Sequence, residues 1–251
     1  RGLGDVYKRQ EQTLYDLMDW AGIEELVYSE GNNPHGLLGP HLTDSGLLVQ
    51  ALIPTAQAIT VKITSTGRKY PMELADEAGF YAALIPRKSM AAYTLIVTYD
   101  NGSTEEIHDP YSYAPQYTDE DLKKFNAGIH YGIYEKMGAH PMTVKGVEGV
   151  YFSVWAPCAM RVSVVGDFNL WDGRRHPMRL LGDSGIFELF IPGLKPGQIY
   201  KYEIKTKAGL PMLKADPYAN YAELRPDTAS VVWDIGRYQC CLLYTSDAAD
   251  D

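Results

Sequence analysis

The chain has 251 residues, 45% of them hydrophobic, so it has room for one large or two ordinary packed domains and is not a disordered chain. Its net charge of −9 argues against nucleic acid, whose phosphates demand a positive surface, and is compatible with a neutral ligand. The sequence has no run of about 18 apolar residues and no signal-peptide core at its start, so we expect a cytoplasmic protein with no nucleic-acid or membrane partner.

The first predicted element is an amphipathic helix near the N-terminus. Apolar residues recur at the i, i+3, i+4, i+7 spacing from Leu14 to Ala21. Thr13 can cap the start of this helix, and Gly22 suits its exit. The pattern predicts one helix between these two residues.

Alternation of apolar and polar residues predicts strands with one buried and one solvated face. Ile59, Val61 and Ile63 alternate with polar residues, as do Tyr200 and Tyr202. The other predicted strands are 47–53, 80–85, 93–99, 151–155, 161–165 and 186–191. Short strands at this spacing predict an all-β chain built from immunoglobulin-like sandwiches without the disulfide.

The chain contains an internal sequence repeat of two copies. "YPMELADEAGFYAALIP" (70–86) aligns with "HPMRLLGDSGIFELFIP" (176–192), and "HDPYSY" (108–113) aligns with "ADPYAN" (215–220). The alignment makes His41 and His140 equivalent, which favours a shared structural hydrogen bond. We therefore predict two tandem β-sandwich domains.

The repeats also predict the domain boundaries. The first sandwich with its leading helix covers 11–111, a partly helical linker covers 112–130, and the second sandwich covers 131–232. Within the linker, Thr118 and Asp121 have the spacing of a capping box and predict a short helix over 118–125.

The amino-acid sequences of the two ends do not fit the pattern of the rest of the chain. Residues 1–10 and 240–251 resemble translated sequencing-adapter sequence, and we interpret both as non-native. Cys240 and Cys241 lie in the second of these segments, so no disulfide framework is predicted. Cys158 has no obvious base nearby and is expected to be a small packed residue.

No complete active site is predicted. The Asp and Glu residues lie mostly in turns or on solvated strand faces, where carboxylates are usually just surface. The six His residues have no metal-ligand spacing, and no Gly-rich phosphate loop follows a strand. We expect no catalytic residue, no metal and no cofactor in this chain.

Residues 166–173, "GDFNLWDG", place a large indole among turn-forming residues. A sugar ring presents an apolar face that packs on an indole, and Asn169, Asp172 and Lys201 could bond its hydroxyls. The predicted carbohydrate-binding residues are Trp171, Asn169 and Lys201. The alternative is that Trp171 covers an edge of the sandwich or buttresses a neighbouring domain.

Several motifs carry a family resemblance. They are "YEKMGAHPM" (134–142), "FSVWAPCAMRVSVVGDFNLWDGRRHPM" (152–178), "GIFELFIPG" (185–193), "YKYEI" (200–204) and "KADPYA" (214–219). Together they resemble the N-terminal part of a bacterial 1,4-α-glucan (glycogen) branching enzyme. The second copy resembles carbohydrate-binding module family 48, and "RPDTASVVWDIGRYQ" (225–239) resembles the lead-in to that family's catalytic barrel, with 233–239 as its last part.

The resemblance implies a cytoplasmic transferase of the α-amylase superfamily that cuts an α-1,4 linkage in a glucan and rejoins the fragment through an α-1,6 bond. In such retaining chemistry one carboxylate attacks as nucleophile and another serves as acid, then base. In the family both lie in a (β/α)₈ barrel beyond this chain. The expected partners are therefore an α-1,4-glucan and this missing barrel, and the chain alone is expected to be inactive.

The resemblance also extends to sugar-binding residues. In related glycogen-binding modules the Trp of an "FNxW" loop stacks on glucose and a Lys in a "YK" strand assists, which matches Trp171 and Lys201. Those modules carry a second aromatic residue in the following hairpin, where this chain has "KAGLPMLKADP" (207–217) and no aromatic residue. We therefore expect weak glucan binding that depends on help from the rest of the enzyme.

Two alternatives stay open. The chain could be a free-standing glycogen-binding regulatory subunit, or the front of another module-48 enzyme such as a debranching or trehalose-releasing hydrolase. The lead-in at 225–239 favours an enzyme over a regulatory subunit, and the duplicated N-terminal domain favours a branching enzyme over the hydrolases.

Overall fold

The computed structural model describes residues 13–237, in which four antiparallel sheets form two β-sandwiches. The first sandwich contains β1 (Gly39–Thr43), β2 (Gly46–Leu52), β3 (Ala56–Ile63), β4 (Lys69–Pro71), β5 (Glu73–Asp76), β6 (Phe80–Ile85), β7 (Tyr93–Tyr99) and β8 (Thr104–Ile107). The second contains β9 (Gly138–Val144), β10 (Val147–Trp155), β11 (Ala159–Gly166), β12 (Arg179–Leu180), β13 (Ile186–Pro192), β14 (Ile199–Thr206), β15 (Pro211–Lys214), β16 (Tyr221–Ala222) and β17 (Ser230–Val231).

The helices of the described chain are α1 (Trp20–Val27) and α2 (Asp119–Asn126), together with a helical turn at 13–16. Short 3₁₀ turns lie at Pro34–Gly36, Pro110–Ser112, Ile133–Glu135, Asp167–Asn169 and Ile235–Arg237. No helix in residues 13–237 has the length and apolar character needed to span a bilayer. The ends interpreted as non-native, and residues 238–239 of the lead-in, lie outside the described residues.

The two sandwiches share the strand order of one sheet and differ in the other, and the structure confirms the predicted all-β, immunoglobulin-like fold. One sheet of the first sandwich has the order β1-β2-β6-β5, and its counterpart in the second has the equivalent order β9-β10-β13-β12. The other sheets are β4-β3-β7-β8 and β11-β14-β17-β16, with β15 also paired to β14. All strand pairs within residues 13–237 are antiparallel: β1 and β2 are consecutive, whereas β10 pairs with β13, β11 with β14 and β3 with β7 across intervening strands.

The equivalent histidines perform the same structural task in both copies. His41 Nε2 lies 3.2 Å from the carbonyl oxygen of Leu38, and His140 Nε2 lies 2.7 Å from that of Met137. Each ring thus ties the start of a sandwich to the residue three positions earlier. The predicted shared hydrogen bond is confirmed.

The prediction of one solvated face is wrong for the central strands. On β2, Leu47 and Val49 face the core of the first sandwich, yet Leu48 and Leu52 on the opposite face are also buried. Those two belong to one cluster with Leu26 of α1 and with residues of the second sandwich. Because the sandwiches and α1 pack on this sheet, both of its faces are covered.

The N-terminal helix differs from the prediction. The helical turn ends at residue 16, and α1 begins separately at Trp20. Asp19 starts it as the N-cap, because its carboxylate accepts a hydrogen bond from the Gly22 backbone N–H at 3.2 Å. Gly22 therefore lies inside α1 instead of ending a helix, and Thr13 lies within the preceding helical turn.

The segment between the sandwiches is packed against the second one. Its predicted helix is confirmed as α2, with both capping-box bonds: Thr118 N–H to Asp121 Oδ2 at 2.8 Å, and Asp121 N–H to Thr118 Oγ1 at 3.1 Å. Tyr113 and Tyr117 are buried in a cluster with Tyr151, on the outer face of the β10–β13 sheet. The segment thus adds a layer to the second sandwich.

A buried charge lies beneath this layer. Glu188 of β13 is 1% exposed and forms an ion pair with Arg179 at 2.5 Å. The Tyr151 hydroxyl donates a hydrogen bond to the same carboxylate, and the Gln116 backbone N–H donates another at 3.1 Å. A buried charge with several partners is costly to disturb, so these contacts hold the segment in place.

Tyr111 connects the two sandwiches. Its hydroxyl donates hydrogen bonds to the carbonyl oxygens of Pro177 at 3.3 Å and Arg175 at 3.5 Å, both in the second sandwich. Its ring receives an edge-on contact from His35, with centroids 5.0 Å apart. Both carbonyls belong to the connection that contains Trp171, so the first sandwich supports that loop.

Cys158 is exposed, so the expectation that it is packed is wrong. It lies in the turn between β10 and β11, where successive side chains leave the sheet and point into solvent.

Candidate functional site

Trp171 lies in the connection that follows β11, and the backbone there has an unusual shape. After the 3₁₀ turn Asp167–Asn169, Leu170 and Trp171 both adopt left-handed conformations, with φ of 57° and 59°. The Trp171 backbone N–H closes the turn on the Gly166 carbonyl oxygen at 3.0 Å. Left-handed conformations are uncommon for residues other than glycine and often mark functional loops.

The Trp171 ring is partly exposed and is not a member of the hydrophobic clusters formed by the described residues. Its Nε1–H donates a hydrogen bond to Asp167 Oδ1 at 2.8 Å, which fixes the ring on the loop. The ring is therefore not sealed inside the hydrophobic core of the sandwich.

Trp171 lines a cleft of about 390 Å³ that combines an aromatic ring with charged groups. Asp172 on the loop and Glu203 and Lys205 on β14 line the same cleft. Tyr28, from the first sandwich domain, also lines it and is 65% exposed. Aromatic surface together with hydrogen-bonding side chains is the combination found in binding sites for neutral polar ligands.

The base of the loop rests on a charged pair. Arg161 of β11 is 3% exposed and forms an ion pair with Glu203 of β14. Burial lowers the pKa of Arg161, and the Glu203 carboxylate opposes that shift. Gly173 passes so close to the pair that a Cβ there would collide with the Glu203 carboxylate. Glycine at 173 thus lets the loop lie flat against β14.

The rim of the cleft carries an ionised carboxylate. Arg174 donates hydrogen bonds to both carboxylate oxygens of Asp172, the shortest of them 2.7 Å from Nη2 to Oδ2. Burial opposes ionisation of Asp172, yet the hydrogen bonds from Arg174 outweigh it and hold its pKa below the usual value. Asp172 is therefore a hydrogen-bond acceptor beside the indole at neutral pH.

Asn169 is buried, which corrects the expectation that it contacts sugar. It is 0% exposed, and its Oδ1 accepts a hydrogen bond from the Gly166 N–H at 3.0 Å. Its Nδ2 donates to the Val164 carbonyl oxygen and to His176 Nδ1, each at 2.8 Å. Asn169 holds the turn together, and none of its atoms is available at the surface.

Lys201 lies on the outward face of β14, opposite Val165 of β11. Its Nζ donates a hydrogen bond to Thr228 Oγ1 at 2.7 Å. Lys201 does not line the cleft of Trp171, whereas Glu203 and Lys205 of the same strand face do. The two-residue period of β14 could have indicated these neighbours, because residues 201, 203 and 205 share a face.

Tyr28 is the residue that the sequence did not indicate, since it belongs to the other domain. It follows α1 and is tied to the second sandwich by Lys205, whose Nζ donates to the Tyr28 carbonyl oxygen at 3.2 Å. The hairpin at 207–217 contributes Gly209 and Pro211 to the cleft. Tyr28 is thus an aromatic residue at a cleft to which that hairpin brings none.

The buried carboxylates other than Glu188 are equivalent residues of the two copies. Asp109 Oδ2 accepts a hydrogen bond from the Tyr93 hydroxyl, and Asp216 Oδ2 accepts one from Tyr200, both at 2.6 Å. Burial raises the pKa of Asp109 to about 6 and also raises that of Asp216. A raised pKa is common in active sites, but a pair repeated in both copies is a feature of the fold. Residues 13–237 hold no cluster of three His, Cys, Asp or Glu side chains suited to a metal ion.

Comparison with solved structures finds partial matches to enzymes much longer than this chain. A pullulanase from Anoxybacillus sp. LM18-11, in complex with maltotetraose, is 17% identical over 79% of this chain and 26% of its own, with a TM-score of 0.34. A putative α-amylase from Salmonella typhimurium is 26% identical over 41% of this chain and 15% of its own (TM-score 0.32). PulA from Klebsiella pneumoniae is 16% identical over 79% of this chain and 22% of its own, with a TM-score of 0.35. This chain thus spans about a quarter or less of each.

Comparison with family models finds two matches in this chain. Residues 19–111 match the model described as "alpha-1,4-glucan branching enzyme GlgB, N-terminal domain". Residues 136–219 match carbohydrate-binding module 48, the isoamylase N-terminal domain. Residues 19–111 are therefore similar to an N-terminal domain of branching enzymes, and residues 136–219 are similar to a carbohydrate-binding module of family 48.

Proposed function

We propose that this chain is the glucan-holding N-terminal portion of a 1,4-α-glucan branching enzyme. The parent enzyme would cut an α-1,4 linkage and rejoin the released segment through an α-1,6 bond, using two carboxylates in turn. Those carboxylates would belong to a catalytic barrel outside the described residues, so the chain alone would have no transferase activity. The match of residues 19–111 to the branching-enzyme domain supports this parent over a debranching enzyme.

The proposed contact with glucan is the face of Trp171. The observation that carries it is the partly exposed indole, held by Asp167 on a left-handed turn and facing a cleft lined by charged groups. The apolar face of a glucose unit would stack on the ring, and its hydroxyls would bond to Asp172, Glu203 and Lys205. The acidic chain suits a neutral glucan, which needs no positive surface.

Tyr28 would add a second aromatic contact from the first domain. Tyr28 is 65% exposed and lines the same cleft, and the Lys205 bond to its backbone keeps the two domains together at this point. Lys201 would act at most at the edge of the site, since its ammonium group is bonded to Thr228. Asn169 has no part in the proposed contact.

Affinity electrophoresis of the full chain through gels containing glycogen tests this site. The Trp171→Ala variant should bind at least about fivefold more weakly, since a lost aromatic stacking partner costs roughly 1 kcal/mol. Tyr28→Ala should weaken binding less. Trp155→Ala is the matched control, because Trp155 is 54% exposed on β10 and does not line the cleft. Equal migration of the wild type and Trp171→Ala in glycogen would contradict the proposal.

The gene beyond codon 239 tests the proposed parent. We expect it to continue in frame into a (β/α)₈ barrel. A stop codon there would contradict the branching-enzyme proposal and favour a free-standing glycogen-binding subunit.

A further inference from the structure

A second cleft, of about 650 Å³, lies between the two sandwiches. Its first-domain wall is formed by the end of β2, the β7–β8 hairpin and the residues up to Tyr111. Its second-domain wall is formed by the 168–176 connection and the 191–194 turn. Volumes of about 300 to 1,000 Å³ and positions at domain junctions are typical of small-molecule sites.

The cleft offers apolar and aromatic surface. Tyr99 and Leu194 line it, and Leu52 and Ile53 form part of its apolar floor. Leu170 also lines it and is 71% exposed. Leu170 and Trp171 are therefore consecutive left-handed residues whose side chains line different clefts.

The polar groups in this cleft include donors and acceptors that the fold leaves free. Within residues 13–237, the Arg175 guanidinium has no ion pair or hydrogen bond, and its carbon lies 5.9 Å from the centre of the Tyr99 ring. The Asp100 carboxylate likewise has no hydrogen bond in that part of the chain. The Thr55 hydroxyl oxygen is buried and has no partner there either.

This combination selects the chemical class of the ligand. An anion would meet the carboxylates of Asp100 and Glu105, and a cation would meet the guanidinium of Arg175. A sugar hydroxyl is both a donor and an acceptor, so it can satisfy all of these groups without bringing a charge. The apolar face of a sugar ring also fits the exposed aliphatic and aromatic surface.

We propose that this interdomain cleft binds a short α-1,4-glucan as a second, separate site. The choice of an α-glucan rests on the function proposed above, whereas a neutral oligosaccharide follows from the cleft itself. Asp100 accepts hydrogen bonds from the hydroxyls, Arg175 donates to them from the second-domain wall, and Leu170 packs on a ring face.

Amide NMR of the full chain titrated with maltoheptaose tests this site apart from Trp171. We expect shifts of the amides of 100–105 and 193–194 in the wild type and equally in Trp171→Ala. Asp100→Asn and Arg175→Gln should weaken these shifts about fivefold, because each removes a charged hydrogen-bond partner. Arg68→Gln, on the exposed β3–β4 turn, is the matched control.

The outcomes separate the two sites. If only the amides of 203–211 shift, the interdomain site is overturned and the Trp171 site stands. If the shifts at 100–105 disappear in Trp171→Ala, they are transmitted from the Trp171 cleft and the second site is likewise overturned. If the shifts at 100–105 persist while 203–211 never respond, the interdomain site stands and the Trp171 site fails.

Discussion

The indole N–H of Trp171 donates a hydrogen bond to the carboxylate of Asp167, four residues earlier, across 2.8 Å. The bond satisfies the one polar atom of the side chain inside its own loop and leaves the faces of the ring for other contacts. A ring held in this way loses little freedom when a ligand binds, which favours affinity.

Removing the acceptor of this bond should loosen the ring. We expect Asp167→Ala to weaken glycogen binding about two- to fivefold while changing stability little, because the lost bond is solvent-accessible and is worth roughly 0.5–1.5 kcal/mol. Asp167→Asn keeps an acceptor oxygen and should bind like the wild type. Dissociation constants from glycogen affinity gels measure both, and equal losses in the two variants would show that the charge, not the bond, matters.

Removal of the Tyr111 hydroxyl should weaken the contact between the sandwiches. Tyr111→Phe deletes the bonds to Pro177 and Arg175, so we expect about 1 kcal/mol less stability and faster amide hydrogen exchange at residues 175–178. The repeat provides a matched control: the hydroxyl of Tyr218, the equivalent residue, has no hydrogen bond within residues 13–237 and is 40% exposed as a residue. Tyr218→Phe should therefore leave both measurements unchanged, and equal effects of the two variants would contradict this role.

Protonation of His176 should destabilise the loop that carries Trp171. Burial and the nearby Arg175 lower the pKa of His176 from 6.5 to about 3, and its Nδ1 accepts the hydrogen bond from Asn169. Between about pH 3 and pH 6.5, the His176 side chain binds a proton in the unfolded chain but not in the folded chain. The contribution of His176 to stability is therefore complete above pH 6.5 and declines as the pH falls towards 3.

His35 also lowers the stability of the folded chain as the pH falls, because burial lowers its pKa to about 3. Asp109 acts in the opposite direction: its pKa is raised to about 6, so its protonation favours the folded state as the pH falls from 6 towards 4. Substitution isolates the effect of His176. Urea unfolding from pH 4 to 7 should show a slope for His176→Gln that is shallower by about 1.4 kcal/mol per pH unit. Parallel curves for the wild type and His176→Gln would contradict the assignment.

Limited proteolysis tests the proposed domain boundaries. Tyr113 and Tyr117 are buried against the second sandwich, whereas residues 126–129 are exposed after α2. We expect the first cleavage between the sandwiches to fall in 126–132, not in 112–118. Mass spectrometry of the fragments locates the cut, and initial cleavage at 112–118 would contradict the packed segment.

Periodicity predicted the central strands, because each of them buries a face in its own sandwich. It missed edge strands such as β15 and β16, whose residues are all exposed. It could not reveal that Leu48 and Leu52 of β2 are also covered, since the covering surface comes from α1 and from residues about 100 positions later. The capping box of α2 was readable because both of its partners lie within one helical turn. The break before α1 was not, because Asp19 competes with Thr13 as a cap and only the fold selects between them.

The sequence could predict a residue of the site only where that residue type is uncommon in its local context. A Trp in a turn-rich segment is rare, so Trp171 stood out, whereas an Asn in the same segment can face solvent or close the turn. Asn169 does the latter. Tyr28 could not be found from the motifs, because the cleft is assembled from two domains. Equivalent sequence positions can also differ in burial. Tyr111 is 8% exposed and Tyr218 is 40% exposed, although both follow an Asp-Pro pair.

The most direct measurement is the indole N–H resonance of Trp171 in the full chain during titration with maltoheptaose. The chain has four Trp residues, and the signal of Trp171 is the one missing from Trp171→Ala. We predict that this signal shifts progressively and saturates, while those of Trp20 and Trp155 do not move. An unchanged Trp171 signal at ligand concentrations that retard the chain on glycogen would contradict a glucan-contacting role for this ring.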